Sequence, residues 1–204
     1  MAYQAQDYTR VLGMTGISDA TLQAHFKLYQ GYVTNTNTLL ERSLQLLDAG
    51  QEKTPDYAEV RRRFGFEFDG MRLHEYYFEN LKGSGTPDTG STIYRQIERD
   101  FNGFDRWRKD FLATAAMRGV GWTLLCYDTR GDRLLNLWVT LHQDNILAGV
   151  QPLLVLDCWE HAYYLDVQTN RPAYLESFLA NVHWGEVARR FDENSEMQQR
   201  KKAA

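Results

Sequence analysis

This chain of 204 residues is poor in several things that would otherwise steer its reading. It has only two cysteines, Cys126 and Cys158, neither in a CxxC motif and each in an apolar run, where cysteine usually behaves as a small inert hydrophobe. A disulfide scaffold and a cysteine-based zinc site are therefore excluded. No apolar run reaches about 18 residues, so no membrane span is expected. Residues 1–20 lack a basic start followed by an apolar block and a small-residue cleavage site, which argues against a signal peptide and for a cytoplasmic protein. Net charge is only −4, too little of either sign for a general polyanion binder, so no nucleic-acid partner is expected. The Gly83–Ser91 stretch has no Gly-Lys-Ser/Thr ending and reads as a linker rather than a phosphate loop.

What remains is a chain rich in aromatics (13%) and long enough for one packed domain or two lobes that share a site. Ser18 to Asp48 has the apolar spacing of a long helix, ended by Ala49-Gly50. A second helix is expected over Asp69 to Leu81, after a polar stretch containing Pro55. Beyond the linker, helices are expected over Ser91 to Phe101 and Phe104 to Arg118. Strands follow over Gly121 to Tyr127, Leu134 to Leu141 and Pro152 to Leu156, the first two around a hairpin-like turn at 128–132. A last helix is expected from Tyr174 to Phe191, with a frayed tail after Asp192. The fold class is thus α+β. An N-terminal helical hairpin domain (1–84) packs on a C-terminal domain (85–204) that has a small three-stranded antiparallel sheet surrounded by helices.

The most informative residues are Asp157-Cys158-Trp159-Glu160-His161. A carboxylate and an imidazole four apart can converge on one cation across a helical turn or a tight strand-to-helix corner. The apolar run Pro152–Leu156 leads straight into the aspartate, so the pair sits at the buried end of a hydrophobic segment. Burying such charge without a partner costs several kcal/mol or more, and a metal ion is the obvious partner. Among the five histidines, His25 and His74 fall on the two long helices, each of which can offer one imidazole to a site completed by the Asp-x-x-x-His corner.

Asp157-x-Trp159-Glu160-His161-Ala162-Tyr163-Tyr164 resembles the signature of the iron/manganese superoxide dismutases. The resemblance continues through Asn170-Arg171-Pro172-x-Tyr174-Leu175 and Asn181-Val182-x-Trp184. Upstream it is carried by Gly31-Tyr32-Val33, His74-x-x-Tyr77-Phe78-x-Asn80-Leu81 and Gly121-Trp122-Thr123. It spans residues 18 to 191 or so and is specific around Asp157.

The resemblance implies one Fe or Mn ion per subunit, held by His25, His74, Asp157 and His161. It also implies superoxide as substrate, and a homodimer or tetramer as the assembly. Tyr32 becomes a gateway phenol, with a plain helix-face aromatic as the other reading. Either His142, as in archaeal-like members, or Gln143 contacts the metal-bound solvent; strand alternation allows only one of them and favours His142. Phe78, Trp122 and Trp159 form an apolar wall. Glu160 and Tyr164 bridge to a second subunit. Arg171 either draws an anion to the channel or braces the Asn-Arg-Pro turn.

Two departures from the family pattern stand out. His25 lies seven residues before Tyr32 rather than eight, so the first helix is expected to lack a π-bulge. Leu28 and Tyr29 replace a histidine pair, which makes Tyr29 the candidate partner for Tyr164 in the dimer bridge. The competing readings are a non-catalytic metal-binding dimer that keeps the fold and a non-haem iron oxygenase.

Overall fold

Seven α-helices and three strands are present in a computed structural model that describes residues 1–203, with side chains to 197. Helices α1 (Asp19–Asp48) and α2 (Pro55–Glu79) form the antiparallel hairpin. Then come α3 (Thr92–Phe101), α4 (Phe104–Ala115), β1 (Gly121–Asp128), β2 (Arg133–Thr140) and β3 (Val150–Asp157), followed by α5 (Tyr164–Val167), α6 (Arg171–Ala180) and α7 (Trp184–Ala203). The architecture is α+β, with the sheet ordered β2-β1-β3 and antiparallel throughout.

Local chemistry sets the ends of α1. The Ser18 side chain accepts from the Thr21 amide, so one of the first-turn donors is satisfied. The helix is α-helical throughout, with no π segment between His25 and Tyr32. Helix α2 starts fourteen residues before the position expected from the sequence, at Pro55 instead of Asp69. The polar stretch is its N-terminus: Thr54 caps the Tyr57 amide, and Pro55 takes the first helical position, where its missing N–H costs nothing. The charged run Glu59–Arg63 is its exposed first half, and only the second half carries the buried Met71, Leu73, Tyr77 and Phe78.

The final expected helix is broken in two. The Asn181 side-chain amide donates to the carbonyls of Ser177 and Thr15, and the His183 amide donates to Asn80, which stops α6 and redirects the chain into α7. The same corner ties down the Gly-rich linker, whose Gly83 and Gly85 amides donate to Asn181 and Val182. Helix α7 then runs to Ala203, well past the frayed tail expected after Asp192.

Strand β1 is central and nearly all buried. β3 is an edge strand, where Pro152 withdraws no donor the sheet needs, and a register shift there accommodates Leu153. One hydrophobic cluster joins the inner halves of α1 and α2 to all three strands and to α6 and α7. Both cysteines are buried and unpaired, and burial pushes the Cys126 thiol up to about 12 and that of Cys158 to about 11. The result for the site is positional. β3 ends at Asp157, facing α1 and α2, and the chain turns there through a short 3-10 segment, Glu160–Ala162.

Candidate metal centre

Four elements each deliver one donor. His25 comes from α1, His74 from α2, Asp157 from the end of β3 and His161 from the 3-10 turn after it. One ligand atom from each lies within 4.8 Å of every other. The Asp157 Oδ2 atom is the hub, 3.2 Å from His25 Nε2, 3.7 Å from His74 Nε2 and 3.0 Å from His161 Nε2. His25, His74 and Asp157 are buried, while the His161 side chain keeps 25% of its surface exposed.

The surrounding hydrogen bonds fix how each donor points. His74 Nδ1 lies 2.5 Å from the Gly70 carbonyl, which can only accept, so the ring proton sits on Nδ1. Its Nε2 lone pair is then aimed, buried and without a hydrogen bond, at an anionic oxygen. Both ring nitrogens of His25 are likewise buried without a hydrogen bond of good geometry. Bare imidazole lone pairs facing a carboxylate repel unless a cation lies between them, so the donor set fits a metal ion. Asp157 Oδ1 accepts from the Trp159 amide at 2.8 Å. The Asp157 carbonyl accepts from the Tyr174 hydroxyl at 2.8 Å, which leaves the 3.2 Å bond between Tyr174 and Tyr77 to be donated by Tyr77.

Charge states agree with that fit. Burial lowers the pKa of His25 and takes that of His74 well below its usual value, so both imidazoles are neutral. Burial works to raise the Asp157 carboxyl, but His161 and His25 outweigh it and hold it below the usual carboxylate range. Three imidazoles and one anionic oxygen suit a divalent or trivalent first-row ion better than calcium or magnesium.

Above the donors lies a polar relay. Trp122 Nε1 donates to His142 Nδ1 at 3.0 Å, and His142 Nε2 lies 2.8 Å from the Tyr32 hydroxyl. Burial lowers the His142 pKa to about 4, so the ring is neutral and its one proton sits on Nε2, donated to Tyr32. The hydrogen of the Tyr32 hydroxyl is then free to point elsewhere. Burial raises the Tyr32 pKa, so it stays a phenol. His142 follows a turn rather than sitting in a strand. β2 stops at Thr140, and Leu141 turns with a φ of 55°, so strand alternation does not apply. Gln143 lies beside Gly65 on α2, with its side-chain oxygen buried and unbonded.

Aromatic rings enclose the donors. Phe78 packs 5.0 Å from His25, Trp122 4.9 Å from His74, and Trp159 stacks 4.9 Å from His142. Trp122 pairs with Asp157 across β1 and β3, which puts it on the aspartate's face of the sheet.

Tyr29 does not reach the surface. It is buried inside the hairpin, donates to Glu75 at 3.0 Å and accepts from the Gln6 amide, because helical phase turns it inward with His25 and Val33. Arg171 donates through Nη1 to the carbonyls of Met117 and Gly119 and lies over Trp138, while its Nε and Nη2 are buried without a hydrogen bond among the described residues. Glu160, Tyr164 and Leu165 are exposed together beside His161.

Sequence reasoning missed Gly70, Phe66, Arg63 and Glu67. A Cβ on Gly70 would sit 2.6 Å from the Tyr32 ring, so glycine is what lets the phenol lie against α2. Its position one turn before His74 was the available signal. Phe66 packs 4.5 Å from His142.

Residues 89–190 match a family model described as the C-terminal domain of iron/manganese superoxide dismutases. The chain is 32% identical to "Superoxide dismutase [Fe]" of Aquifex pyrophilus over 93% of this chain and 91% of that protein. It is 36% identical to "Superoxide dismutase [Fe]" of Methanothermobacter marburgensis, covering 87% and 89% respectively. Against "Superoxide dismutase [Mn/Fe]" of Aeropyrum pernix the identity is 35%, over 83% and 79%.

Proposed function

The chain belongs to the iron/manganese superoxide dismutase family, and from that premise we propose how its residues divide the work. It is an oxidoreductase that converts two superoxide radicals and two protons into dioxygen and hydrogen peroxide, using one iron or manganese ion. The ion, when bound, supplies a one-electron couple that zinc would lack.

His25, His74, Asp157 and His161 hold it. The observation that carries this reading is the buried His74 Nε2 lone pair facing Asp157 with its other nitrogen committed to Gly70. Asp157 offsets part of the ion's charge, and the three neutral imidazoles leave the remainder to attract an anion.

The relay handles protons. His142 donates to Tyr32, which leaves the Tyr32 hydroxyl free to present its hydrogen to a peroxide anion at the mouth. A neutral His142 locked by Trp122 cannot rotate to compete for that proton. Phe78, Trp122 and Trp159 exclude bulk water from the donors, so the electrostatics of the site are stronger than they would be in solvent.

The reading extends to assembly and organisation. Residues 1–84 and 85–204 act as two units, one supplying His25, His74 and Tyr32, the other Asp157, His161 and His142. The chain works as a homodimer. Support comes from the contiguous exposure of Glu160, Tyr164 and Leu165 next to His161, the one donor open to solvent. A second copy on that face would bury the ligand and give Glu160 a partner. The buried free thiols agree with a cytoplasmic setting, and among the described residues no helix is long and apolar enough to cross a membrane.

The test is protein prepared separately with iron and with manganese, assayed for superoxide consumption and sedimented. At least one metal form should be active and sediment as a dimer or larger. Metal-loaded protein without activity would remove the enzymatic reading, and an active monomer would remove the dimer.

A further inference from the structure

A further cation stands at the mouth of the relay. Arg63, on the exposed first half of α2, places its guanidinium carbon 4.0 Å from the centroid of the Phe66 ring. Phe66 in turn packs 4.5 Å from His142, which bonds to Tyr32. Among the described residues, no hydrogen bond ties Arg63 to the relay, and its one ionic partner is Glu67, at 2.7 Å.

The arrangement of that pair is asymmetric. The Glu67 side chain is 4% exposed and that of Arg63 is 50% exposed. The second Glu67 oxygen is taken by the Asn35 side-chain amide at 3.1 Å. The carboxylate thus faces the protein and the guanidinium faces water. A small anion arriving from solvent meets the positive end of the pair first. The contacts of the Phe66 ring with Arg63 and with His142 keep the cation within about one physiological Debye length of the His142 ring, close enough for its field to be felt there.

We propose that Arg63, held over Phe66 by Glu67, is the residue that steers small anions, superoxide among them, to the Tyr32–His142 mouth. This rests on the dismutase reading for its substrate but not for its physics, since any small monovalent anion should be guided in the same way. Arg171, whose Nη1 bonds to the Met117 and Gly119 carbonyls and whose Nε and Nη2 are buried away from solvent, does not duplicate the role.

The experiment follows the association rate of azide, an inert small anion, with metal-loaded protein by stopped-flow absorbance. Superoxide kcat/KM is measured in parallel from 10 to 500 mM salt. For Arg63→Ala both rates should fall about two- to threefold at low salt, and for Arg63→Glu about fivefold, with all forms converging at high salt. Arg63→Lys should keep the wild-type salt slope.

Glu67→Gln, which leaves the cation but removes its counter-charge, should bind azide faster than wild type at low salt. Because Arg63→Ala strands a buried carboxylate, the double variant Arg63→Ala/Glu67→Gln serves as its control and should show a slower low-salt rate than Glu67→Gln alone. Rates and salt slopes equal to wild type in Arg63→Ala and Arg63→Glu would overturn the proposal. Wild-type protein that shows the azide effect yet consumes no superoxide would overturn the dismutase reading while upholding the steering of anions by Arg63.

Discussion

The floor and the mouth of the centre are built on opposite terms. On the floor, His25, His74 and Asp157 are fully enclosed, and each is oriented by backbone or aromatic neighbours that come from a different element. At the mouth, Tyr32, Phe66 and Trp159 are only half buried, and Arg63 is open to solvent. The floor therefore couples ligand geometry to the stability of the whole core. The mouth can be changed with little effect on folding, and its residues set rates.

Asp157→Asn attacks the floor at its hub and should have the largest effect. The shape is kept while the only anionic donor is lost, so metal affinity should fall by more than the roughly 10–100-fold typical of an outer-sphere change. Metal content after dialysis against a weak chelator checks this. Retention equal to wild type would break the contrast between floor and mouth.

Gly70→Ala strikes where the two regions meet. The new methyl overlaps the Tyr32 ring, and the accommodation should cost about 1–3 kcal/mol, partly offset by roughly 1 kcal/mol of improved helix propensity. A fall of about 2–6 °C in the thermal midpoint is expected, together with loss of activity as the phenol moves off His142. Unchanged activity would mean that the placement of Tyr32 is not critical.

Tyr32→Phe touches the mouth alone. Metal content and thermal midpoint should stay close to wild type, while turnover falls on the order of tenfold. That is less than the roughly 10²–10⁴ typical of a lost general acid, because water can reach the half-exposed site. A variant that also loses its metal would contradict the division.

Asp69, on α2 between the two regions, gives the smallest effect. Burial raises its pKa to about 6, above the unfolded value. The folded state therefore binds the proton more tightly, and this contribution is present below about pH 4 and lost as pH rises through 6. Asp69→Asn should raise the thermal midpoint by about a degree or two at pH 7.5 but not at pH 4, the modest size reflecting partial exposure. A shift of equal size at both pH values would assign it to packing.

The contrast also explains which features could be read before any coordinates. Asp157-x-x-x-His161 behind an apolar strand, the long helix that begins at Ser18 and the sheet's three short runs are local signals, and each is set by neighbours in sequence. The beginning of α2 was hidden because its first half is exposed and charged, so it carries no apolar stripe. The break after α6 depends on bonds from Asn181 to Thr15 and from His183 to Asn80, far away along the chain. The inward turn of Tyr29 needs Glu75, and the setting of Arg63 needs Glu67, Phe66 and the distant Asn35. The four candidate donors fall in a motif that resembles a known one, which is why they are legible in the sequence. The mouth is assembled from residues that form no motif.

The central claim is that four side chains share one ion, with His74 Nε2 as a bare donor. Its most direct test is metal content per chain of wild type and His74→Ala, expressed and purified side by side in iron- and manganese-supplemented media. The account predicts close to one iron or manganese per wild-type chain and essentially none in the variant. A His74→Ala protein that keeps a full complement of metal would contradict it.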